Sequence, residues 1–298
     1  MLNRLRFWRE KNWQVIDADT YAATWQRFGG SLLTQPDVVA RLSALAETDV
    51  RYLGWQDNGE WVAAIPTWGR YLALSRQALK RMGKPGLFDL GNAEIILPMA
   101  ADAHIQLRHS CKYLTATQAE QIAGARKQKE ELTLAKDPDD MVRKVRYNLR
   151  RELRLLEEAG GVIRPMHELT AAEQAKSYIE LFERRWGFAA AGRERLAEVL
   201  ALLREFVVGS VVYLHETPIA IQLLYRVESP QWISVEYVNG GVDPQTRDFS
   251  PGSVLTYLNT QAAWADAKAL GKTLRYSFGR ADREYKDRWC NRVPVYQV

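Results

Sequence analysis

The length of 298 residues exceeds the usual size of one domain, which predicts two domains, and a hydrophobic fraction of 47% is enough to build their cores. Charged residues make up 26% of the chain, and the glycine and proline contents are ordinary, which excludes a disordered or fibrous protein. The net charge of +5 fits a phosphate-bearing partner or an anionic surface, and it also fits an ordinary basic enzyme.

Cysteine and histidine are too sparse and too widely spaced to predict a metal site. Cys111 and Cys290 lie in different halves without CxxC spacing, and no two of the 4 histidines have the i,i+4 spacing of a helical metal pair. We therefore expect no metal and no disulfide framework, and a reducing, cytoplasmic compartment.

The N-terminal segment is basic and aromatic. Charges interrupt each of its apolar runs, so it cannot form a signal-peptide core, and the sequence has no run of about 18 apolar residues that could span a membrane. Any membrane contact is therefore expected to be peripheral, at the anionic inner-membrane surface, although a basic first strand or turn explains the pattern better. The segment contains Arg4, Leu5, Arg6, Phe7, Trp8, Arg9, Lys11 and Trp13.

In the first half, the pattern predicts a helix near residues 36–46 and strands around residues 61–68 and 93–98. Charged and small residues then dominate residues 124–140, which predicts a linker followed by a helix start. We place the boundary near residue 130, giving an N-terminal α/β domain of residues 1–130 and a second domain of residues 131–298.

A strongly basic helix is predicted over residues 139–158. Its apolar residues fall on one arc of a 3.6-residue wheel, and the opposite stripe contains Arg143, Arg146, Arg150 and Arg154. Residues 143–154 contain six basic residues and one acid, whereas solvated helix faces usually intersperse glutamate with lysine to gain i,i+4 pairs. We favour a polyanion-binding helix, with a solvated surface face as the alternative.

The remaining pattern predicts an α/β unit built around a sheet. Thr170 and Glu173 form a capping box that opens a helix ending at Trp186, and Ser250, Pro251 and Gly271 mark the two ends of another helix. A further helix is predicted over residues 193–207 and a short one over residues 282–289. Strands are predicted over residues 162–165, 211–215, 219–227, 232–239, 274–278 and 293–298.

The segment from Arg247 to Ser253 leads from a strand into the N-terminus of the long helix. Unpaired backbone amides and the helix dipole favour an anion there, and an arginine can add a bidentate contact. The segment predicts a phosphate site, although a well-capped helix start also explains Ser-Pro at this position.

Strand order, loop and following helix resemble the coenzyme-binding half of the GNAT acyltransferases, whose loop reads Arg/Gln-x-x-Gly-x-Gly/Ala. Arg247 and Gly252 match this pattern, while Ser250 replaces its first glycine. The resemblance implies that Arg247, Ser250, Gly252 and Ser253 bind the donor. The serine leaves open whether that donor is an acyl-coenzyme A or another phosphate-bearing compound.

The stretch YSFGRADREYKDRW, residues 276–289, resembles the strand, glycine and Tyr-Lys-x-x-Trp helix of FemAB-like transferases. Over its full length the chain resembles the Mig family of macrophage-induced proteins, which support resistance to cationic antimicrobial peptides. These resemblances imply an α/β (α+β) fold with a GNAT-like, mixed, mostly antiparallel sheet flanked by helices. They also imply two such domains in tandem, the first a degenerate copy.

The GNAT resemblance also suggests catalytic residues. Glu236 is the counterpart of the carboxylate that serves as base for the acceptor amine, and partial burial would raise its pKa. Tyr285 is the counterpart of the tyrosine that protonates the leaving thiolate, and Lys286 lies beside it. The donor would be acyl-coenzyme A or an aminoacyl-tRNA, and a tRNA would also explain the basic helix. The alternative is a non-catalytic protein of the same fold, docked on nucleic acid or on the anionic inner membrane.

Overall fold

The computed structural model describes residues 2–298, with side chains from Leu5 onward, so the Arg4 side chain of the N-terminal basic segment lies outside the described residues. The helices are α1 (Leu2–Arg9), α2 (Ala18–Phe28), α3 (Pro36–Leu45), α4 (Arg76–Arg81), α5 (Arg143–Glu158), α6 (Ala171–Trp186), α7 (Leu196–Leu202) and α8 (Pro251–Leu270). The strands are β1 (Trp13–Ile16), β2 (Arg51–Asp57), β3 (Glu60–Trp68), β4 (Tyr71–Leu72), β5 (Ile105–Gln106), β6 (Leu114–Thr115), β7 (Ile122–Ala123), β8 (Arg126–Ala135), β9 (Gly161–Pro165), β10 (Val207–Val208), β11 (Ser210–Leu214), β12 (Thr217–Glu228), β13 (Trp232–Val242), β14 (Thr273–Arg280) and β15 (Cys290–Gln297).

Two sheets carry most of the architecture. The first half builds an antiparallel sheet in the order β1-β2-β3-β4, on which α2 packs. The second sheet has the order β6-β15-β8-β14-β13-β12-β11-β9, with β10 paired to β12. It is antiparallel except for the β13–β14 pair, while α5 and α8 lie on one face and α6 on the other. This is the mixed, mostly antiparallel sheet flanked by helices that the sequence predicted.

The predicted linker at residues 124–140 is wrong, because residues 126–135 form strand β8, between β14 and β15. The charged residues of β8 occupy its exposed N-terminal part, and burial begins only near Leu132, so the local composition looked like a linker. The predicted boundary near residue 130 falls inside this strand. The largest buried apolar cluster likewise contains residues from both sides of it, including Val39 and Leu181.

Several other boundaries differ from the predictions. Residues 93–98 form no strand and pair only through a bridge from Ile95 to Leu114. Helix α5 begins at Arg143, after a 3₁₀ turn at Pro138–Asp140, and the predicted helix over residues 193–207 is reduced to α7 with 3₁₀ turns on both sides. The region 282–289 forms a 3₁₀ turn at Glu284–Arg288. None of the helices described here is both long and apolar enough to cross a membrane.

Helix α6 packs unusually close to β13, and a glycine makes this possible. A Cβ atom at Gly241 would lie 2.4 Å from the carbonyl carbon of Leu181, a distance that real Cβ atoms do not adopt. The reciprocal capping box of Thr170 and Glu173, predicted from the sequence, fixes the start of α6. The C-terminal end of α6 is thereby placed over the last residues of β13.

A buried ion pair joins the first half to the second sheet. Arg275 on β14 donates from Nε to Glu94 Oε2 at 2.7 Å, and its second nitrogen also bonds this carboxylate. The Glu94 side chain is only 2% exposed. Because a buried charge is costly without its partner, this pair strongly constrains the position of residues 93–95.

We predict that Glu94→Gln lowers the free energy of unfolding by about 3 to 5 kcal/mol, because it leaves the Arg275 charge buried without a partner. Urea unfolding at pH 7 measures the effect. The matched control is Glu198→Gln, which breaks a surface pair between Arg195 and a Glu198 side chain that is 47% exposed, and it should cost less than about 1 kcal/mol. Equal losses in the two variants would contradict the structural role of the buried pair.

Candidate functional site

The parallel pair β13–β14 opens at one end of the sheet. Its pairing runs from Trp232 and Thr273 to Glu236 and Ser277, and both strands continue beyond that point without pairing to each other. The register of β13 against β12 also shifts there, so that Val238 is an extra, bulged residue. The unpaired ends of the two strands therefore form a split in the sheet.

Two cavities meet at this split. One has a volume of about 400 Å³ and the other of about 200 Å³. Both are lined by Tyr237, Phe278 and Tyr285, and the Tyr237 and Phe278 rings are in edge contact with centroids 5.1 Å apart. The three aromatic side chains thus form a common wall between two separate binding spaces.

The larger cavity brings together the four residues predicted to bind the donor: Arg247, Ser250, Gly252 and Ser253. Arg247 is exposed, in the 3₁₀ turn Pro244–Phe249, and no ion pair to it is found among the described residues. Gln222 and Thr256 also line this cavity, and Gln222 donates from Nε2 to Thr256 Oγ1 at 2.7 Å and accepts from Asn259 Nδ2 at 2.8 Å. This cavity therefore combines a free cation with fixed polar groups, as an anionic ligand requires.

Ser250 differs from its expected role. It occupies the N-cap position of α8, but its side chain makes no capping hydrogen bond, and its backbone is left-handed with φ 46° and ψ 42°. Its carbonyl oxygen accepts from Ser253 N at 2.8 Å and Val254 N at 3.1 Å. A left-handed backbone is the conformation that glycine adopts without strain, which explains why the GNAT pattern has glycine here.

Tyr285 and Lys286 lie at the wall of the split. The Tyr285 phenol is partly exposed to both cavities, and burial raises its pKa although the nearby Arg185 guanidinium lowers it in part. Lys286 is buried beside the smaller cavity, where its Nζ donates to the Arg280 carbonyl at 2.6 Å and to Asp282 Oδ1 at 3.1 Å. Lys286 therefore already has partners, and it fixes the loop that carries Tyr285.

Glu236 lies below the split, and its carboxyl lines neither cavity. Oε1 accepts from the backbone amide of Glu94 at 2.9 Å. Burial, and then the Glu94 charge, raise the pKa of Glu236 well above its usual value, while the Glu94 amide, the nearby Ser277 and Arg275 lower it in part. The raised pKa agrees with the sequence-based expectation, and a base role for Glu236 stays a prediction.

The sequence analysis missed Arg185 and Tyr237. Arg185, near the end of α6, lines the larger cavity, donates to the Gly240 carbonyl at 3.2 Å and lies against both phenols of the wall. Burial raises the pKa of Tyr237 to about 12, so the phenol keeps its proton at neutral pH. Arginine near a helix C-terminus is common for dipole reasons alone, so no distinctive local pattern marks Arg185.

The predicted polyanion-binding stripe lies beside the donor loop. Arg143, Arg150 and Arg154 are exposed on α5, whereas Arg146 is half-buried and donates to the Asp139 carbonyl at 2.6 Å. An exposed Tyr147 interrupts the stripe. Helix α5 packs against the turn 244–249, where Leu153 and Phe249 contact the same small core. Helix α5, which carries the stripe, therefore lies next to the turn that contains Arg247.

We predict that Ser250→Gly raises the free energy of unfolding by about 1 kcal/mol, because glycine relieves the left-handed strain at Ser250. Chemical denaturation measures the change. Ser253→Gly, two residues inside the helix start, is the matched control and should lower stability by up to about 1 kcal/mol. A loss of stability in both variants would show that the Ser250 backbone is not strained.

We predict that Glu236→Gln changes the pH dependence of stability. The folded protein favours the neutral carboxyl, so the stability contributed by Glu236 is complete below its ordinary pKa of 4.5 and is lost as pH rises through the folded pKa. Each unit of difference between the two pKa values corresponds to about 1.4 kcal/mol. The free energy of unfolding, measured between pH 4 and pH 8, should therefore fall less with rising pH in Glu236→Gln than in wild type. The exposed control Glu157→Gln should show the same pH dependence as wild type. Parallel curves of unfolding free energy against pH for all three proteins would contradict a neutral Glu236 carboxyl in the folded protein.

Comparison with solved structures gives the fold independently. FemX aligns with a TM-score of 0.56 at 11% identity, over 96% of this chain and 96% of FemX, which shows a common fold. L-PGS from Bacillus licheniformis aligns with a TM-score of 0.49 at 14% identity, over 95% of this chain and 92% of that chain. A tandem GNAT protein from the clavulanic acid biosynthesis pathway aligns with a TM-score of 0.42 at 10% identity, over 96% and 97% of the two chains.

None of the curated proteins compared matches the chain in sequence. A family model does match, and it spans almost the whole chain, from residue 35 to residue 298. Its extent includes the donor loop, the basic helix, the split between β13 and β14 and most of the first half. The chain therefore belongs to the Mig-14 family.

Proposed function

We propose that this protein transfers an acyl or aminoacyl group from a phosphate-bearing donor to an amine or hydroxyl, and thereby supports resistance to cationic antimicrobial peptides. The observation that carries the proposal is the meeting of two cavities at one aromatic wall, with an unpaired arginine in the larger one. A group-transfer enzyme needs a donor and an acceptor whose reacting atoms meet but whose bodies occupy separate spaces.

The larger cavity suits the donor. Arg247 supplies a guanidinium for phosphate oxygens, and the N-terminus of α8 adds its dipole. A coenzyme A pyrophosphate would need only this loop. An aminoacyl-tRNA would in addition place its backbone phosphates on Arg143, Arg150 and Arg154, which are exposed on α5, the helix that packs against the turn 244–249.

The smaller cavity suits the acceptor, and Tyr285 suits the proton donor. The acceptor nitrogen or oxygen attacks the donor carbonyl, the bond from carbonyl carbon to thiol sulfur or ribose oxygen breaks, and the leaving atom takes the Tyr285 proton. The acceptor loses its own proton to a base. Because burial raises the pKa of Tyr285, the phenol is protonated at neutral pH and can act as the acid. A base role for Glu236 requires that its carboxyl be ionised, which its raised pKa opposes, and that a link such as a water molecule join the buried carboxyl to the cavity.

Acyl transfer would explain resistance through charge. Acylating an amine on an incoming peptide removes one positive charge, and modifying an envelope precursor alters the surface that the peptide attacks. Either change weakens the electrostatic attraction between peptide and envelope.

A second candidate is a non-catalytic protein of the same fold that attaches to the inner membrane or to nucleic acid. It is favoured by exposed apolar side chains next to arginines: Leu5, Phe7 and Trp8 on α1, and Tyr147 on α5. Such mixed surfaces can bind anionic lipid, or stack on and neutralise a nucleic acid.

We predict that the purified protein binds acetyl-coenzyme A or a mixture of aminoacyl-tRNAs, and that Arg247→Ala weakens donor binding about tenfold to a hundredfold. Calorimetry and filter binding at low and high salt measure the two donors. The exposed Arg126→Ala on β8 is the matched control and should bind as wild type. A tRNA donor also requires that the double variant Arg143→Ala and Arg150→Ala weaken binding.

Tyr285→Phe separates catalysis from binding, since it should keep donor affinity but slow transfer to a lysine-rich peptide by about a hundredfold or more. No binding of either donor at low salt would contradict the transferase. If the same protein then bound phosphatidylglycerol vesicles but not phosphatidylcholine vesicles, the second candidate would be favoured.

A further inference from the structure

A third cavity, of about 260 Å³, lies in the first half next to the smaller of the two site cavities. Its walls are mostly apolar and buried, formed by Leu33, Leu74, Phe88, Leu90, Ile95 and Cys111. Asn92 lines both this apolar cavity and the smaller site cavity. The apolar cavity therefore adjoins the space proposed for the acceptor, and Asn92 lies between the two.

Two glycines bring Asn92 to the split. Gly91 has φ +71°, and a Cβ there would lie 3.2 Å from Val238 Cα, so the chain passes directly against the bulge of β13. Gly279 has φ +72°, and a Cβ there would lie 3.7 Å from Asn92 Nδ2. Asn92 is thus held between the two strands of the split, with one cavity on each side.

Two of the three cations that line the apolar cavity are paired, and the third, Lys112, is exposed to solvent and has no ion pair among the described residues. Arg76 pairs with Asp89, and Arg280 pairs with Glu130 at 3.3 Å and with Asp282 at 3.7 Å. The Tyr113 hydroxyl donates to Glu130 at 3.0 Å. A ligand that enters past these paired groups meets an apolar interior, which favours a hydrocarbon and disfavours a charged group.

We propose that the acceptor is a single-chain amphiphile, an inference that rests on the proposed transferase function. Its amine or hydroxyl lies in the smaller site cavity beside Tyr285, and its aliphatic chain passes Asn92 into the apolar cavity. The first half of the chain thereby selects the acceptor. The bonds that form and break are those of the proposed transfer, and the aliphatic chain of the acceptor does not react.

A series of n-alkylamines, from butylamine to decylamine, tests the proposal by calorimetry on the full-length protein. Affinity should rise about fourfold per added methylene until the cavity is filled, since each buried methylene contributes a similar hydrophobic term, and then level off. An increase in affinity of less than about 1.5-fold per added methylene would contradict the proposal that the acceptor is an amphiphile.

Ala93→Phe fills the apolar cavity, and Ala101→Phe, which lines a different cavity, is the matched control. Ala93→Phe should abolish the chain-length dependence and leave butylamine binding unchanged, whereas Ala101→Phe should behave as wild type. If Ala93→Phe does not fold, Gln77→Trp narrows the cavity from a half-buried position and should reduce the dependence. An unchanged dependence in the folded variants would overturn the proposal.

Donor binding measured on the same samples separates this inference from the proposed function. Donor binding without chain-length dependence overturns the amphiphilic acceptor alone. Chain-length dependence in a protein that binds neither acetyl-coenzyme A nor aminoacyl-tRNA supports chain binding in the cavity and overturns the transfer.

Discussion

The buried ion pair between Glu94 and Arg275 is the constraint on which the site depends. It lies at the base of the split, where the pairing of β13 and β14 ends at Glu236 and Ser277. Burial, and then the Glu94 charge, raise the pKa of Glu236, while the hydrogen bond from the Glu94 amide lowers it in part. Two carboxyls and one guanidinium are thereby satisfied together, and the first half of the chain is fixed against the second sheet.

The shape of the split follows from what is packed around this base. The bulge at Val238 ends the regular register of β13, and Gly241 lets α6 approach closely enough to place Arg185 against the wall phenols. Gly91 lets the first half pass against the same bulge from another side. The opening is therefore walled by rigid elements from both halves, which is the condition for positioning two substrates precisely.

The prediction of a linker at residues 124–140 failed for a reason that applies to other strands with solvent-exposed side chains. In β8 the charged residues 126–131 are largely solvent-accessible, and the strand is held by pairing with β14 and β15, more than 130 residues away in the sequence. The local amino-acid composition correctly indicates that these side chains are exposed, but it cannot indicate that the backbone pairs with distant strands. The same limit explains why residues 93–98, which are apolar and largely buried, were predicted as a strand although they pair only through one bridge.

The sequence alone determined the features that depend on neighbours along the chain: the capping box of α6, the Pro251 and Gly271 ends of α8 and the basic stripe of α5. Each is written in residues a few positions apart, where side-chain chemistry acts directly on the local backbone. Only the tertiary structure decided that Glu94 pairs with Arg275 and that Arg185 lies against Tyr285. It also decided that Asn92 lies between two cavities. These contacts join residues far apart in the chain, and their energies come from burial and pairing that no local pattern specifies.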